Sequence, residues 1–355
     1  MTSPRQVAVA MSGGVDSSVA AALLVEQGQP AFGVMLRLWS AGAELPNRCC
    51  SPRDMAMARR VADQLGIPFY VLDVREQFHA QVVQFFVDGY AQGITPNPCM
   101  ECNRSIRWQT LLEHALGLGA THLATGHYAR VALGHGRFHL LRAADRAKDQ
   151  SYVLSVLGQV QLSHALFPLG DLTKPEVRSA ARRLNLPVAD RPESQDLCFV
   201  GGADYRTFLE TQAGLQPLPG PILDEGGQRI GTHTGLSGYT IGQRKGIGIS
   251  ARNPLYVLEK DPAHNALVVG PRQALRRTRF LVNRVNWVSD PPSSSLRALV
   301  QVRYRAAPVP ACVEKDGRPG EATVTLEQPL HDVTPGQAAV FYDGDECLGG
   351  GIIQA

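Results

Sequence analysis

At 355 residues the chain is longer than one ordinary hydrophobic core supports, which predicts two or three domains. Its 44% apolar and 19% charged composition is that of a water-soluble globular protein, and no uncharged apolar run reaches the roughly 18 residues of a membrane span. A net charge of +3 is too small to announce a nucleic-acid partner, so such a role has to come from local basic clusters. The first residues, Met1 to Gln6, run directly into a short apolar segment with no long apolar stretch and no small-residue cleavage site. That predicts no signal peptide and a cytoplasmic location.

In chain order, Val7 to Ala10 reads as a buried strand, Val15 to Glu26 as a helix and Ala31 to Leu38 as a strand. Pro52 to Leu65 reads as a helix with Ser51 as its N-cap, and Phe69 to Leu72 as a strand. Helices near Ala80 to Ala91 and Arg104 to Leu116 precede a strand at Ala120 to Ala124. This alternation predicts an α/β domain with a doubly wound parallel sheet over residues 1–205, whose ligand sits beyond the strand C-termini. Residues 206–277 turn glycine- and proline-rich, with Pro217 to Thr240 lacking a clear helix, and predict a small central β-containing domain. From 278 to 355, segments at Ser295 to Tyr304, Ala322 to Leu326 and Ala338 to Tyr342 are spaced as in an antiparallel β-barrel.

Immediately after the first strand comes Ser12-Gly13-Gly14-Val15-Asp16-Ser17-Ser18, leading into an apolar helix. Paired glycines let the backbone approach an anion, and hydroxyls with helix N-terminal amides offer donors where the helix dipole is positive. The loop lacks the Lys of Gly-x-x-x-x-Gly-Lys-Ser/Thr and does not fit Gly-x-Gly-x-x-Gly, which argues against γ-phosphoryl transfer and dinucleotide binding. It predicts an ATP site, with Asp16 serving a Mg²⁺ ion between phosphates. The plainer alternative is a tight strand-to-helix turn in which Asp16 only biases the first helical turn. The loop resembles the PP-loop of the ATP pyrophosphatases, which implies cleavage between the α- and β-phosphates to give an adenylated acceptor and pyrophosphate.

The seven cysteines, an odd number, argue against a disulfide framework. Cys99 and Cys102 end the proline-stiffened stretch Thr95-Pro96-Asn97-Pro98, just before a helix expected to start near Asn103. That helix start, with Arg104 and Arg107, predicts a reactive Cys102 thiolate. Cys198 lies in Leu197-Cys198-Phe199 beside Gly201 and Gly202. Three readings stay open: a zinc site lacking its fourth ligand, ordinary buried thiols, and sulfur chemistry. In the last, one cysteine carries a persulfide and another resolves the product by thiol exchange, or Cys99, Cys102 and Cys198 hold a [4Fe-4S] cluster with one open iron. Cys49 and Cys50 read as non-catalytic loop thiols, and Cys312 and Cys347 as packing residues of barrel strands.

The motifs together, Ser12 to Ser18, Thr95 to Pro98 followed by Cys102-Asn103, Ala124-Thr125-Gly126-His127-Tyr128, Lys148-Asp149-Gln150-Ser151-Tyr152, Leu197-Cys198-Phe199, Gly242-Gln243-Arg244-Lys245-Gly246 and Thr334-Pro335-Gly336-Gln337, resemble the bacterial tRNA-specific 2-thiouridylase family. The resemblance runs over nearly the whole chain and implies sulfur transfer to the wobble uridine in the anticodon arm of tRNA. It implies that Ala10, Met11, Ser12, Gly13, Gly14, Val15, Asp16, Ser17, Ser18, Leu36 and Gly126 hold the nucleotide. Cys102 would be the nucleophile and Cys198 the persulfide carrier, the two able to form a disulfide. Asn97, Pro98 and Cys99 would meet the target base, while His127, Lys148, Asp149, Gln150, Arg303, Tyr304 and Gln337 would contact tRNA. A sulfur donor such as a cysteine desulfurase or a relay protein is a further implied partner. Some family members carry Asp in place of Cys99, so a third thiol is not required by every version of the mechanism.

Read by itself, His127 is equally a satisfied polar residue, and Lys148-Asp149-Gln150 a charged surface turn. The basic clusters Arg272, Arg276, Arg277 and Arg279, Gln243-Arg244-Lys245, and Arg303-Tyr304-Arg305 are candidate phosphate contacts or simply solvated charge. Two rivals stand beside the thiolation reading: a PP-loop ligase or amidotransferase indifferent to its thiols, and a non-catalytic iron-sulfur RNA-binding protein.

Overall fold

The computed structural model describes residues 6–39, 51–192, 197–200, 204–288 and 290–354. Cys49 and Cys50, and the stretches 193–196 and 201–203 on either side of Cys198, lie outside the described residues.

The apolar run after Gln6 forms β1 (Val7–Ala10), whose first three residues are fully buried, as a central parallel strand requires. It is followed by β2 (Ala31–Arg37), β3 (Phe69–Asp73), β4 (His122–Ala124), a hairpin of β5 (Ala129–Gly134) and β6 (Arg137–Arg142), and the short β7 (Ala165–Leu166). The parallel sheet has the order β3-β2-β1-β4-β7. The chain leaves β1 on one side for β2 and β3 and returns on the other side for β4. Its topological switch therefore falls at the C-terminal end of β1, where ligands of such sheets bind. Two helices, α1 (Val15–Glu26) and α2 (Pro52–Leu65), have the predicted bounds. Ser51 caps α2 through a reciprocal box with Asp54.

Two helices start earlier than their periodicity suggests. Residues 75–91 are helical throughout, with a π-helical turn at His79–Val83, rather than from Ala80. The helix expected near Arg104 starts at Pro98, because the Asn97 side chain accepts from the Met100 amide at 3.3 Å and proline at the first helical position lacks no bond. It continues through the π-helical Cys102–Leu111 to Gly117.

The central domain is a four-stranded sheet of β8 (Gly220–Leu223), β9 (Arg229–His233), β10 (Tyr256–Asp261) and β11 (Ala266–Gly270), ordered β10-β11-β8-β9 around Ile222, Val257, Leu267 and Val269. Next come β12 (Arg277–Trp287), β13 (Ser295–Gln301), β14 (Val309–Lys315), β15 (Ala322–Leu330), β16 (Ala338–Asp343) and β17 (Glu346–Ile353). They pair in the order β12-β15-β14-β13-β16-β17 and close through β12–β17, which leaves no edge within the ring. Cys312 and the fully buried Cys347 lie in these strands as packing residues.

The hairpin of the first domain continues this barrel: Leu141 pairs with Glu346 and Leu140 with Cys347. The guanidinium of Arg142 stacks 3.7 Å from the Tyr342 ring centre, and the Tyr152 hydroxyl donates to the Ala338 carbonyl at 3.0 Å. Trp108, Phe86 and Tyr152 share one apolar cluster with Val340, Tyr342 and Cys347, so barrel and parallel-sheet domain are packed as one body. Within that cluster Phe86 meets Tyr90, Phe199 and Phe208 edge-on at 4.9, 5.2 and 6.2 Å, joining the segment that carries Cys198 to the rest. Removing this fully buried ring by Phe86→Ala is expected to lower stability by about 3–5 kcal/mol, read as a lower midpoint in urea unfolding.

Candidate functional site

At the end of β1 the Met11 amide still bonds the Val34 carbonyl at 2.8 Å, and the chain then turns at Gly13 with φ of +74°. A Cβ at Gly13 would lie 2.5 Å from the Asp54 carbonyl oxygen, so only glycine fits. Arg191 fixes the turn by donating to the Gly13 carbonyl and to the Asp54 carboxylate, both at 2.6 Å. The Ser12 amide and hydroxyl both meet Ser17 Oγ at 3.1 Å, and Ser18 Oγ donates to the Gly14 carbonyl at 2.8 Å. Gly14 caps α1 without a side chain, which leaves the first-turn amides facing the loop where the helix dipole is positive.

Asp16 is held between two cationic or hydroxylic donors. Lys174 Nζ lies 2.6 and 2.8 Å from its two carboxylate oxygens, and the Tyr128 hydroxyl donates at 2.8 Å. Lys174 opens the helix Lys174–Arg183 behind the cap Thr173 and is itself buried, so a cation is stored against the loop. It is not among the residues the sequence singles out; the capping box of Thr173 with Glu176 is the local pattern that marks this helix start.

The segment 125–128 joins this loop to the thiols. A Cβ on Gly126 would stand 2.7 Å from the Ser17 nitrogen and 2.8 Å from the Asp16 carbonyl carbon, so 126 packs backbone to backbone on the loop. The next residue, His127, is buried, is hydrogen-bonded through Nδ1 to Thr125 Oγ1 at 2.8 Å, and has its imidazole pushed from the ordinary 6.5 down to about 3, first by burial and then by Arg107. Arg107 also acts on Cys99. That side chain is open to solvent but crowded by protein, which raises its thiol pKa to about 11, with Cys102 adding and Arg107 opposing. The barrel contributes Tyr304, which is 38% exposed and within electrostatic reach of Cys99 and Asp149.

The two remaining thiols border the same apolar cluster, Cys102 buried in it and Cys198 half-buried against it. Cys102 lies a full turn inside its helix rather than at the N-terminus the sequence suggested, so the helix dipole does not act on it as expected, and the exposed thiol of the pair is Cys99. Among the described residues no group of three or more His, Cys, Asp or Glu is arranged to hold a metal ion.

Comparison with known proteins decides the family. Models described as the tRNA methyl transferase HUP domain, PRC-barrel domain and an aminomethyltransferase β-barrel domain match residues 5–202, 206–271 and 277–353. The tRNA-specific 2-thiouridylase MnmA of Chloroflexus aurantiacus is 51% identical over 353 residues, 98% of either chain. That of Geobacter metallireducens is 47% identical over 358 residues, covering 99% of this chain and 97% of its own. This chain belongs to the tRNA-specific 2-thiouridylase family. Among solved structures, a 4-thiouridine synthetase bound to RNA and ATP overlaps 59% of this chain and 50% of its own at a TM-score of 0.38 and 16% identity.

Several residues that the 2-thiouridylase resemblance assigned to tRNA are engaged inside the protein. Asp149 accepts from the Ala143 amide at 2.9 Å and from Ser151 Oγ at 2.8 Å, and Ser151 in turn meets the Tyr342 hydroxyl at 3.1 Å. Gln150 clasps Tyr128 by side chain and backbone, at 2.9 and 2.8 Å, and so steadies the donor on Asp16. Arg303 donates to the Asp332 and Ile241 carbonyls and to Thr334 Oγ1. Gln337 Nε2 donates to the Thr95 carbonyl at 2.8 Å. Leu36 lies near the C-terminal end of β2, on the side of the sheet where the loop opens. The basic residues Arg244, Lys245, Arg272, Arg276, Arg277, Arg279 and Arg305 are exposed.

Two outcomes follow from this geometry. Gly126→Ala forces the 125–128 segment off the loop by the better part of an ångström and is expected to lower ATP-dependent turnover about 100-fold with the fold intact by circular dichroism. The imidazole of His127 is kept neutral, so its contribution to stability is full above the unfolded value near 6.5 and is lost as pH falls from there towards about 3. His127→Gln is expected to flatten that part of the stability-against-pH curve, measured by denaturant midpoints at stepped pH.

Proposed function

We propose that this chain uses ATP to adenylate the C2 carbonyl oxygen of the wobble uridine of tRNA and then replaces that oxygen with sulfur, releasing AMP and pyrophosphate. The observation that carries this reading is the 125–128 segment. Its glycine rests on the loop at 12–18 while Arg107 acts electrostatically on both its histidine and Cys99, which supports nucleotide and thiol chemistry acting on one extruded base. A wobble base has to leave its stack to be reached, and the exposed Tyr304 ring offers a face on which it can stand.

A carbonyl oxygen is a poor leaving group until it carries AMP. The amides and hydroxyls of Ser12 to Ser18 hold the phosphates, with Ala10, Met11 and Leu36 bordering the nucleotide. Lys174, now paired with Asp16, turns its ammonium to the departing pyrophosphate. Asp16 supplies one carboxylate at the loop, which suits Mg²⁺, an ion that takes few protein ligands when phosphates supply the rest; bound there with ATP, it would neutralise charge on pyrophosphate. The uridine C2–O bond breaks when the terminal sulfur of a Cys198 persulfide attacks C2 and AMP leaves with that oxygen. Attack by the Cys102 thiolate on the Cys198 sulfur then releases the base as its thiocarbonyl and leaves a Cys102–Cys198 disulfide. An external thiol reductant reopens the disulfide, and a sulfur donor such as a cysteine desulfurase or relay protein reloads Cys198.

Asn97, Pro98 and Cys99 meet the base in this reading, and His127, Lys148 and Tyr304 contact the tRNA. Asp149, Gln150, Arg303 and Gln337 act by holding these groups in place. The exposed arginines of residues 272–279 and Arg305, with Arg244 and Lys245, grip phosphates along the anticodon arm.

Incubating the protein with ATP, Mg²⁺, a persulfide source and unmodified tRNA, followed by nucleoside mass analysis, is expected to yield 2-thiouridine with stoichiometric pyrophosphate. Cys102→Ser and Cys198→Ser are expected to abolish thiolation while leaving ATP binding intact. Unmodified uridine alone, from protein that binds both ATP and tRNA, rejects the reading.

A further inference from the structure

The segment that carries Cys99 and Cys102 is held from outside its own domain. The Thr95 amide donates to the Pro335 carbonyl at 3.0 Å, and Gln337 returns a bond to the Thr95 carbonyl at 2.8 Å. Gly336, at φ +87°, passes so close that a Cβ would lie 2.9 Å from the Thr95 carbonyl carbon. This barrel loop is in turn pinned by Arg303 through Thr334 and by Ile353 on the last strand, whose carbonyl accepts from the Gly336 amide and whose amide donates to the Gln337 carbonyl. From the central domain, Pro262 fills the space a Cβ on Gly93 would need.

A second hold falls between the two thiols. Arg284 Nη2 lies 2.8 Å from Glu101 Oε2, and the guanidinium stands 5.8 Å from the Phe85 ring centre. Glu101 is mostly buried, with a side chain 14% exposed, and also faces Arg104, so it sits between two guanidiniums that would otherwise repel. Arg284 occupies the bulge of β12, between the register positions of Asn283 and Asn286, with φ of +50°. That conformation disfavours any residue with a branched or long side chain unless the surroundings impose it, and bulges re-aim the side chain they carry. Glycine or asparagine would sit there more comfortably, so the strain is explained by what the arginine reaches.

We propose that Arg284 is a positioning residue for sulfur transfer: together with the Pro335–Gln337 loop it lets the barrel set where Cys99 and Cys102 stand. The barrel then has a second role beside gripping tRNA, since any load on it reaches the thiols through two short struts. The proposal rests on Cys102 taking part in sulfur transfer, but its geometric half can be tested without turnover.

The test uses the full chain and three variants: Arg284→Asn, which relieves the backbone and removes the strut, Arg284→Lys, which keeps a cation on it, and Gly336→Ala, which presses directly on Thr95. Rates of alkylation by iodoacetamide at Cys99, Cys102 and Cys198, mapped by peptide mass, are read without ATP or tRNA. Arg284→Asn and Gly336→Ala are expected to raise Cys102 alkylation about 10-fold through local opening, with Cys198 unchanged, and Arg284→Lys to restore most of the parent rate. In thiolation assays the same two variants are expected to lose about 10-fold in kcat, with KM for tRNA and ATP binding little changed. Because Arg284→Asn is expected to unfold no earlier than the parent, a loss there is not one of global stability. An alkylation pattern identical to the parent overturns the proposal, as does a rise in KM at unchanged kcat with weaker salt dependence, which marks a phosphate contact. If the parent itself makes no thiouridine, the functional reading fails while the alkylation pattern still decides the strut.

Discussion

The approach of Gly126 to the phosphate loop is the constraint on which the site depends. Backbone atoms of 126 stand where no Cβ fits against Asp16 and Ser17, and this contact seats the 125–128 segment on the loop at the parallel sheet's switch point. Tyr128 adds a bond to Asp16 and Gln150 holds Tyr128, so the segment is anchored on both sides of its glycine. Through these four residues the glycine loop at 12–18 is tied to His127, on which Arg107 acts as it does on Cys99.

Charge is handled differently at the two ends of that bridge. At the phosphate loop, Asp16 and Lys174 neutralise each other, which keeps a buried cation from standing alone before an anion arrives. At the thiol end, crowding raises Cys99 and lowers His127, so both favour their neutral forms, and Arg107 is the cation that faces them.

The three domains behave as one packed body around the cysteine segment. The β5–β6 hairpin extends the barrel, Trp108 and Tyr342 lie in the same apolar cluster, and the loops at 93–95 are bounded by Pro262 on one side and Gly336 on the other. Residues that the family resemblance linked to tRNA, such as Arg303 and Gln337, sit at these junctions and bond across them inside the protein.

The amino-acid order by itself determined the glycine loop, the bounds of α1 and α2, the parallel-sheet domain and the barrel, because each is written in neighbouring residues: a glycine pair before an apolar helix, a capping box at Ser51, alternation of buried and exposed positions along strands. It also pointed to Cys102 and Cys198 by motif. What it could not carry was pairing across the chain. Lys174 meets Asp16 from 158 positions away, Arg284 meets Glu101 from 183, and the hairpin at 129–142 joins strands beyond 346. Which thiol faces solvent and which is buried was likewise decided by packing, since the Asn97 cap and Pro98 move the helix start ahead of both cysteines and turn Cys102 inward. Local pattern fixes where elements begin and which face is apolar, whereas burial and partner choice depend on shapes that exist only once those elements have packed.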